Sequence, residues 1–215
     1  MRWVAAPLLA LVLAGCGGGT REHGTATLWV TRDRGAQVLY SGTVPAGVTA
    51  MQALEQKVKV STRYGGRFVQ SIAGVSGSAS AQRDWLYFVN GIEADAGATE
   101  VRLHPGDVEW WDYRSWKGSG LSVPVVVGAF PEPFRHGFEW AKPGARVVGS
   151  GPAVARLQSL VGRGPNSIVV DARVPAGSAS ATRDGSVVRL VLGVRAAARL
   201  AADPTAFRYR YEVGG

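Results

Sequence analysis

The spacing of apolar positions changes several times along the chain, and each change marks a predicted element. Residues 26–31 (ATLWVT) put Leu28 and Val30 on one face and Trp29 on the other, the two-residue period of a strand. Arg32-Asp33-Arg34-Gly35 is a turn, and residues 37–44 (QVLYSGTV) return as a second strand, so the chain opens with a hairpin that Pro45-Ala46-Gly47 stops. The period then lengthens. Met51, Leu54 and Val58 form one stripe of a short helix ending near Lys57. Thr49 and Gln52 are spaced for a capping box, in which each side chain bonds the other residue's backbone N–H. Residues 58–62 and 67–72 read as weaker strands around Tyr64-Gly65-Gly66, and residues 74–81 (GVSGSASA) as a loop of small residues.

Residues 85–89 (WLYFV) have the strongest strand pattern in the chain. Trp85, Tyr87 and Val89 point one way, Leu86 and Phe88 the other, so the strand is expected to be central. Asn90-Gly91 is a tight-turn signal because both residues tolerate positive φ. A second turn, residues 103–107 (LHPGD), leads into a last strand over 108–116. Val108, Trp110, Asp112 and Arg114 share one of its faces; Glu109, Trp111, Tyr113 and Ser115 share the other. Trp110 and Trp111 must therefore face opposite sides of the sheet. One can be core; the other must be covered by the rest of the chain, by a partner or by a ligand.

The second half reads more plainly. Residues 122–130 (SVPVVVGAF) predict a strand, and Pro131-Glu132-Pro133-Phe134 an extended, non-helical segment. Ser150-Gly151-Pro152 starts a helix over 153–161 with Val154, Leu157, Leu160 and Val161 as its apolar stripe. Residues 168–172 and 187–194 are apolar strands, 196–202 an alanine-rich helix, and 207–213 (FRYRYEV) alternates as a closing strand. Residues 77–84 (GSASAQRD) and 177–184 (GSASATRD) agree at seven of eight positions. No second copy of the Trp85 strand follows 184, so both octapeptides are read as flexible loops rather than as a repeat. The predicted class is α+β: a β-grasp-like mixed sheet over one helix at 25–117, then a second small α+β domain at 121–215.

Before residue 25 the chain has a different character. Arg2 precedes an apolar run from Trp3 to Leu13, and Leu13-Ala14-Gly15-Cys16 closes it. A basic start, a short apolar core and small residues at the end describe a secretory leader, too short for a finished membrane helix. The terminal LAGC resembles the bacterial lipobox, which implies cleavage before Cys16 and lipidation of its thiol. On that reading residues 1–16 are a lipoprotein signal, residues 17–24 a tether, and the protein sits on the extracytoplasmic face of a bacterial membrane. Cys16 is the chain's single cysteine, so the folded part has no thiol for a disulfide, a nucleophile or a metal site.

Composition adds limits. The 46% hydrophobic and 19% charged content is globular and excludes wholesale disorder. The net charge is +8, but the arginines are scattered singly, which argues against nucleic acid and suits an anionic surface. The three histidines, His23, His104 and His136, do not form a ligand set; Glu132 and Glu139 flank His136 without a second His or Cys. Glu93 and Asp95 read as loop acids. No nucleophile, phosphate-loop or zinc-protease motif is present. The expectation is a non-enzyme with no catalytic residue, no metal and no resident cofactor.

Trp85, Tyr87, Val89, Asn90 and Gly91, followed by Gly106, Asp107, Trp111 and Tyr113, resemble the pattern of DUF4430-like bacterial surface domains, related to the C-terminal domain of transcobalamin and intrinsic factor. The resemblance covers about residues 25–117. It implies a β-grasp fold and makes a corrinoid the first ligand to try. In the cobalamin carriers a helical domain forms the other half of the clamp, and this chain shows none. Trp85, Tyr87, Asn90, Trp110, Trp111 and Tyr113 are the candidate contact residues. Two functions follow as expectations: a lipid-anchored protein that holds a small ligand for a membrane importer, or a module that docks another envelope protein.

Overall fold

The computed structural model describes residues 23–215, so Cys16 and the leader around it lie outside the described residues. The hairpin strands β1 (Thr25–Arg32) and β2 (Gln37–Pro45) lead into a single-turn-and-a-half helix α1 (Ala50–Glu55). Strands β3 (Val60–Arg63), β4 (Phe68–Ile72) and β5 (Val75–Ser76) form a small antiparallel sheet of their own. The chain then returns to the main sheet with β6 (Arg83–Val89), β7 (Ile92–Glu93) and β8 (Val108–Ser115). The main sheet has the order β2-β1-β8-β6-β7. Its two central strands, β1 and β8, run parallel, and the other pairs are antiparallel. This is the expected β-grasp.

Local chemistry explains why these elements form where they do. The Thr49 hydroxyl accepts from Gln52 N at 3.2 Å and the Gln52 side chain accepts from Thr49 N at 3.0 Å, so the capping box is complete. Asn90 (φ 53) and Gly91 (φ 78) take the left-handed conformations that a two-residue β6–β7 turn requires. Ala50, Met51, Ala53 and Leu54 of α1 pack on Leu28, Val30, Trp85, Trp111 and Tyr113, the face of the sheet toward the helix. Gly24, expected to end the tether, already belongs to the fold, since its carbonyl accepts from Ala46 N at 3.0 Å.

The second half builds a four-stranded sheet, β11-β12-β10-β9, from β9 (Ala145–Val148), β10 (Asn166–Val170), β11 (Ala179–Asp184) and β12 (Val187–Leu192). Helix α3 (Pro152–Val161) crosses between the parallel strands β9 and β10, and α4 (Val194–Ala202) follows β12. Burial alternates along β10 and β12, so one face of this sheet is core. That core also takes in Ile92 of β7 and Val125, Val127, Phe130 and Phe134, so the two halves share buried residues. Among the described residues no helix is long and apolar enough to cross a membrane.

Four local expectations are corrected. Residues 122–130 are not a strand: Val125 makes one isolated bridge to Ile92, and 127–129 form a 3₁₀ turn. Their apolar run is buried between the two sheets instead of pairing within one, Val126 and Ala129 against the main sheet and Val125, Val127 and Phe130 in the second core. Residues 131–134 are not extended, because Glu132–Arg135 forms one helical turn, α2, in whose first turn Pro133 has no hydrogen bond to donate. Residues 207–213 are turns rather than a closing strand, with Val213 alone bridging Ala179. The octapeptide at 177–184 supplies strand β11, whereas its near copy at 77–84 turns sharply before entering β6; packing partners, not local sequence, decide between them.

Candidate functional site

Five of the six candidate contact residues lie in strands of the main sheet and Asn90 in its β6–β7 turn; all but half-buried Tyr87 are buried. Trp85, Trp111 and Tyr113 are buried beneath α1, and half-buried Tyr87 stacks on Trp111 with ring centroids 4.7 Å apart and planes at 19°. The Trp85 indole donates to Val75 O at 2.9 Å and the Tyr113 hydroxyl to Ser76 O at 3.0 Å, so both are tied to β5. Asn90 is a positioning residue. Its Nδ2 donates to Asp107 Oδ1 at 2.7 Å and Gly137 O at 2.8 Å, and its Oδ1 accepts from Val108 N at 2.8 Å. Asn90 and Asp107, two members of the family-like pattern, thus meet across the sheet end. Trp110, on the opposite face, is fully buried.

The rest of the chain covers that opposite face. Trp110 packs with Trp29, Leu86, Phe88, Val126, Ala129 and Tyr211. Beside it, fully buried Asp112 accepts from the Thr31 hydroxyl at 2.5 Å, from Arg34 N and Gly35 N at 3.0 Å each, and from the Tyr211 hydroxyl at 2.9 Å. The turn residues Asp33, Arg34 and Gly35 all have positive φ, which aims their N–H groups at the carboxylate. Burial and the Asp112 charge push the Tyr211 hydroxyl far above the usual tyrosine range, so it remains a donor. One pair further along, the buried Arg114 guanidinium donates to Ser115 O, Ser119 Oγ, Gly120 O and Leu121 O. The question of which adjacent tryptophan is left open therefore has a definite answer: neither. The apolar runs at 122–130 and 207–213 signal this cover.

The cover is incomplete over the β1–β2 hairpin. There a cleft of about 340 Å³ remains between Thr27, Trp29, Ser41 and Thr43 on the sheet and Phe130, Glu132, Thr205 and Arg208 on the overlying segments. Trp29 forms an aromatic wall, with the Arg208 guanidinium 5.7 Å from its ring. The Tyr209 hydroxyl and Ser41 Oγ are 2.9 Å apart at the rim. Glu132 closes the other end, paired to His136 Nδ1 at 2.6 Å. Burial raises the Glu132 carboxyl above its ordinary range, and the neighbouring His136 and Arg135 oppose that rise. His136 in turn stacks on Trp140, as does His104, both at 15° to its plane. An aromatic wall, several hydroxyls, one cation and one carboxyl converge on a small space. Sequence reasoning placed Trp29 on its own face of β1 but did not single out the cleft, whose other wall comes from residues about 100–180 positions away. Among the described residues no cluster of His, Cys, Asp or Glu is arranged to hold a metal ion.

Residues 47–115 match a family model described as "Domain of unknown function (DUF4430)". The match covers this stretch and not the rest of the chain. It runs from just before α1 to the end of β8 and includes Asn90, Asp107 and both adjacent tryptophans. No curated protein matches the chain. Among solved structures, a candidate metal-binding protein from Ruminococcus gnavus aligns over 44% of this chain and 97% of its own, at 16% identity and a TM-score of 0.34. Haptocorrin in complex with Cbi aligns over 48% of this chain, at 15% identity and a TM-score of 0.37. This chain spans 28% of the haptocorrin chain, well under two thirds of it.

Proposed function

We propose that this chain is a lipid-anchored binding protein of the bacterial envelope that holds a small polar ligand in the Trp29 cleft and passes it to a membrane importer. One observation carries the reading. The chain seals the aromatic face over β8 and β6 with its own second half, yet leaves a cleft of about 340 Å³ over β1 and β2, lined by groups that suit a small ligand. That volume falls at the small end of ligand sites, roughly 300–1,000 Å³. A corrinoid, the first ligand that the resemblance implies, exceeds it and would be met at the mouth by Trp29 and Arg208. Binding suits the cleft better than catalysis. His136 is engaged by Glu132, and among the described residues no hydrogen bond couples it to a cleft hydroxyl as an activated nucleophile requires.

The test is a titration of the chain from Gly17 onward, which keeps every described element, with cobinamide and a panel of small hydroxylated compounds, followed by tryptophan fluorescence. A saturable change, weakened about tenfold in Arg208→Ala, is expected, as for loss of one cation contact of about 1.4 kcal/mol. Equal affinity of the two proteins for every compound, or no saturable change at all, overturns the reading. Docking of another envelope protein is a second reading, favoured by an apolar groove on the second half in which exposed Val194 lies beside Pro152, Ala153, Ala198 and Ala201. Capture of the same envelope protein by wild type but not by Val194→Asp would support it; equal capture would count against it.

A further inference from the structure

A second cleft, of about 470 Å³, lies where the turn end of the main sheet meets the start of the second sheet. Its apolar wall includes Ile92, Phe138 and Val188, and its polar side chains are Lys142, Asn166, Arg183 and Ser186. It shares no lining residue with the Trp29 cleft. We infer that it is a separate binding site for a small organic carboxylate with an apolar body.

Every polar side chain that lines it can donate a hydrogen bond, and no carboxylate lines it. Asn166 is 1% exposed and its orientation is fixed, because its Oδ1 must accept from Val188 N at 2.8 Å. Its Nδ2 is then buried with no partner among the described residues, in a side chain that lines the cleft. A buried amide donor without an acceptor is unfavourable, and an oxygen ligand would relieve it. Arg183 uses Nε on Gly185 O at 2.9 Å and its terminal nitrogens on Asp95, at 2.8 and 3.4 Å. Its five N–H groups exceed these three bonds, so two remain for a ligand. Asp95 approaches from outside the lining and is largely exposed, so it offsets the Arg183 charge only in part. The Lys142 ammonium, 4.1 Å from the centre of the Trp140 ring, supplies a second positive charge at the rim. Donors, two cations and apolar side chains lining one cleft suit a molecule such as benzoate. Inorganic anions would meet the donors and leave the apolar wall unused, and neutral amides would fill the apolar wall but offer the donors one uncharged acceptor oxygen.

The experiment is an NMR titration of the ¹⁵N-labelled chain from Gly17 onward with benzoate, in parallel with benzamide and inorganic phosphate. The Asn166 side-chain amide signal, identified by its disappearance in Asn166→Asp, should shift saturably with benzoate. Benzamide and phosphate should each bind at least about tenfold more weakly. Asn166→Asp keeps an acceptor for Val188 N–H but replaces the free donor with a negative charge, and benzoate binding should be lost. Lys142→Gln, at an exposed position, should weaken benzoate several-fold and serves as the deciding variant if Asn166→Asp fails to fold. No saturable shift up to about 10 mM benzoate, benzamide or phosphate binding as tightly as benzoate, or undiminished binding in Lys142→Gln would overturn the inference. Arg208→Ala should leave benzoate binding unchanged, which separates this site from the Trp29 cleft.

Discussion

Tyr211→Phe probes whether the second half is part of the same cooperative core as the main sheet. The substitution keeps the ring against Phe88 and Trp110, whose centroids lie 5.6 and 5.5 Å from it, and deletes one donor to buried Asp112. Asp112 retains Thr31 Oγ1, Arg34 N and Gly35 N, so the carboxylate is not orphaned. A hydrogen bond to a charged acceptor contributes about 1.5–3 kcal/mol, and that is the expected loss. For a chain of this size it lowers the melting midpoint by roughly 4–10 °C. Tyr211→Ala removes the ring as well and should cost about 3–5 kcal/mol more. The assay is denaturant unfolding followed in parallel by tryptophan fluorescence and far-ultraviolet circular dichroism. Both variants should shift one transition that the two probes report together. An unchanged midpoint in Tyr211→Phe, or a first transition that unfolds the second half while the Trp110 environment stays native, would refute the shared core.

Three further outcomes follow from the same contacts. Glu109 is wholly buried beneath α1, with one oxygen accepting from the Trp111 indole at 2.6 Å, and burial raises its carboxyl well above the usual range. A carboxyl whose folded pKa exceeds its unfolded value is most stabilising below the unfolded pKa, near 4.3, and loses that contribution as pH rises toward the folded value. Glu109→Gln should therefore match wild type near pH 4 and become the more stable protein as pH rises, by at most about 1.4 kcal/mol per pH unit; parallel stability–pH curves would contradict this. Thr49→Ala breaks the capping box of α1 and should cost about 1 kcal/mol in the same unfolding assay, with no loss pointing to a dispensable cap. Cys16→Ser should move the protein from the membrane fraction to the soluble one, and unchanged retention would remove the lipid anchor from the proposal.

Much of the main sheet was legible because its signals are local. The capping box at Thr49 and Gln52, the positive-φ turn at Asn90-Gly91 and the alternation along 85–89 each have a backbone cause that tertiary context did not override. The pairing of Trp110 and Trp111 to opposite faces was likewise readable from period alone. What covers those faces was not. Residues 125–130 and, farther on, Phe207, Tyr209, Tyr211 and Val213 are apolar or aromatic because they pack into the two cores, and burial leaves the same mark in a sequence whether or not the backbone pairs. The two octapeptides make the same point from the other side, since seven shared residues give a strand in one place and a turn in the other. The Trp29 cleft was illegible for a related reason: Ser41, Glu132 and Arg208 come together only when the chain folds back over the hairpin.

The proposal stands or falls on whether the Trp29 cleft, left open where the chain covers its own aromatic sheet face, takes a ligand. The most direct measurement is an NMR screen of small polar compounds read at the Trp29 indole N–H, in wild type and in Thr43→Phe, an exposed strand position whose new ring fills the cleft without touching the core. At least one compound should shift the Trp29 signal saturably in wild type and not in Thr43→Phe. A Trp29 signal that no compound moves, or one that moves equally in both proteins, would contradict the proposal.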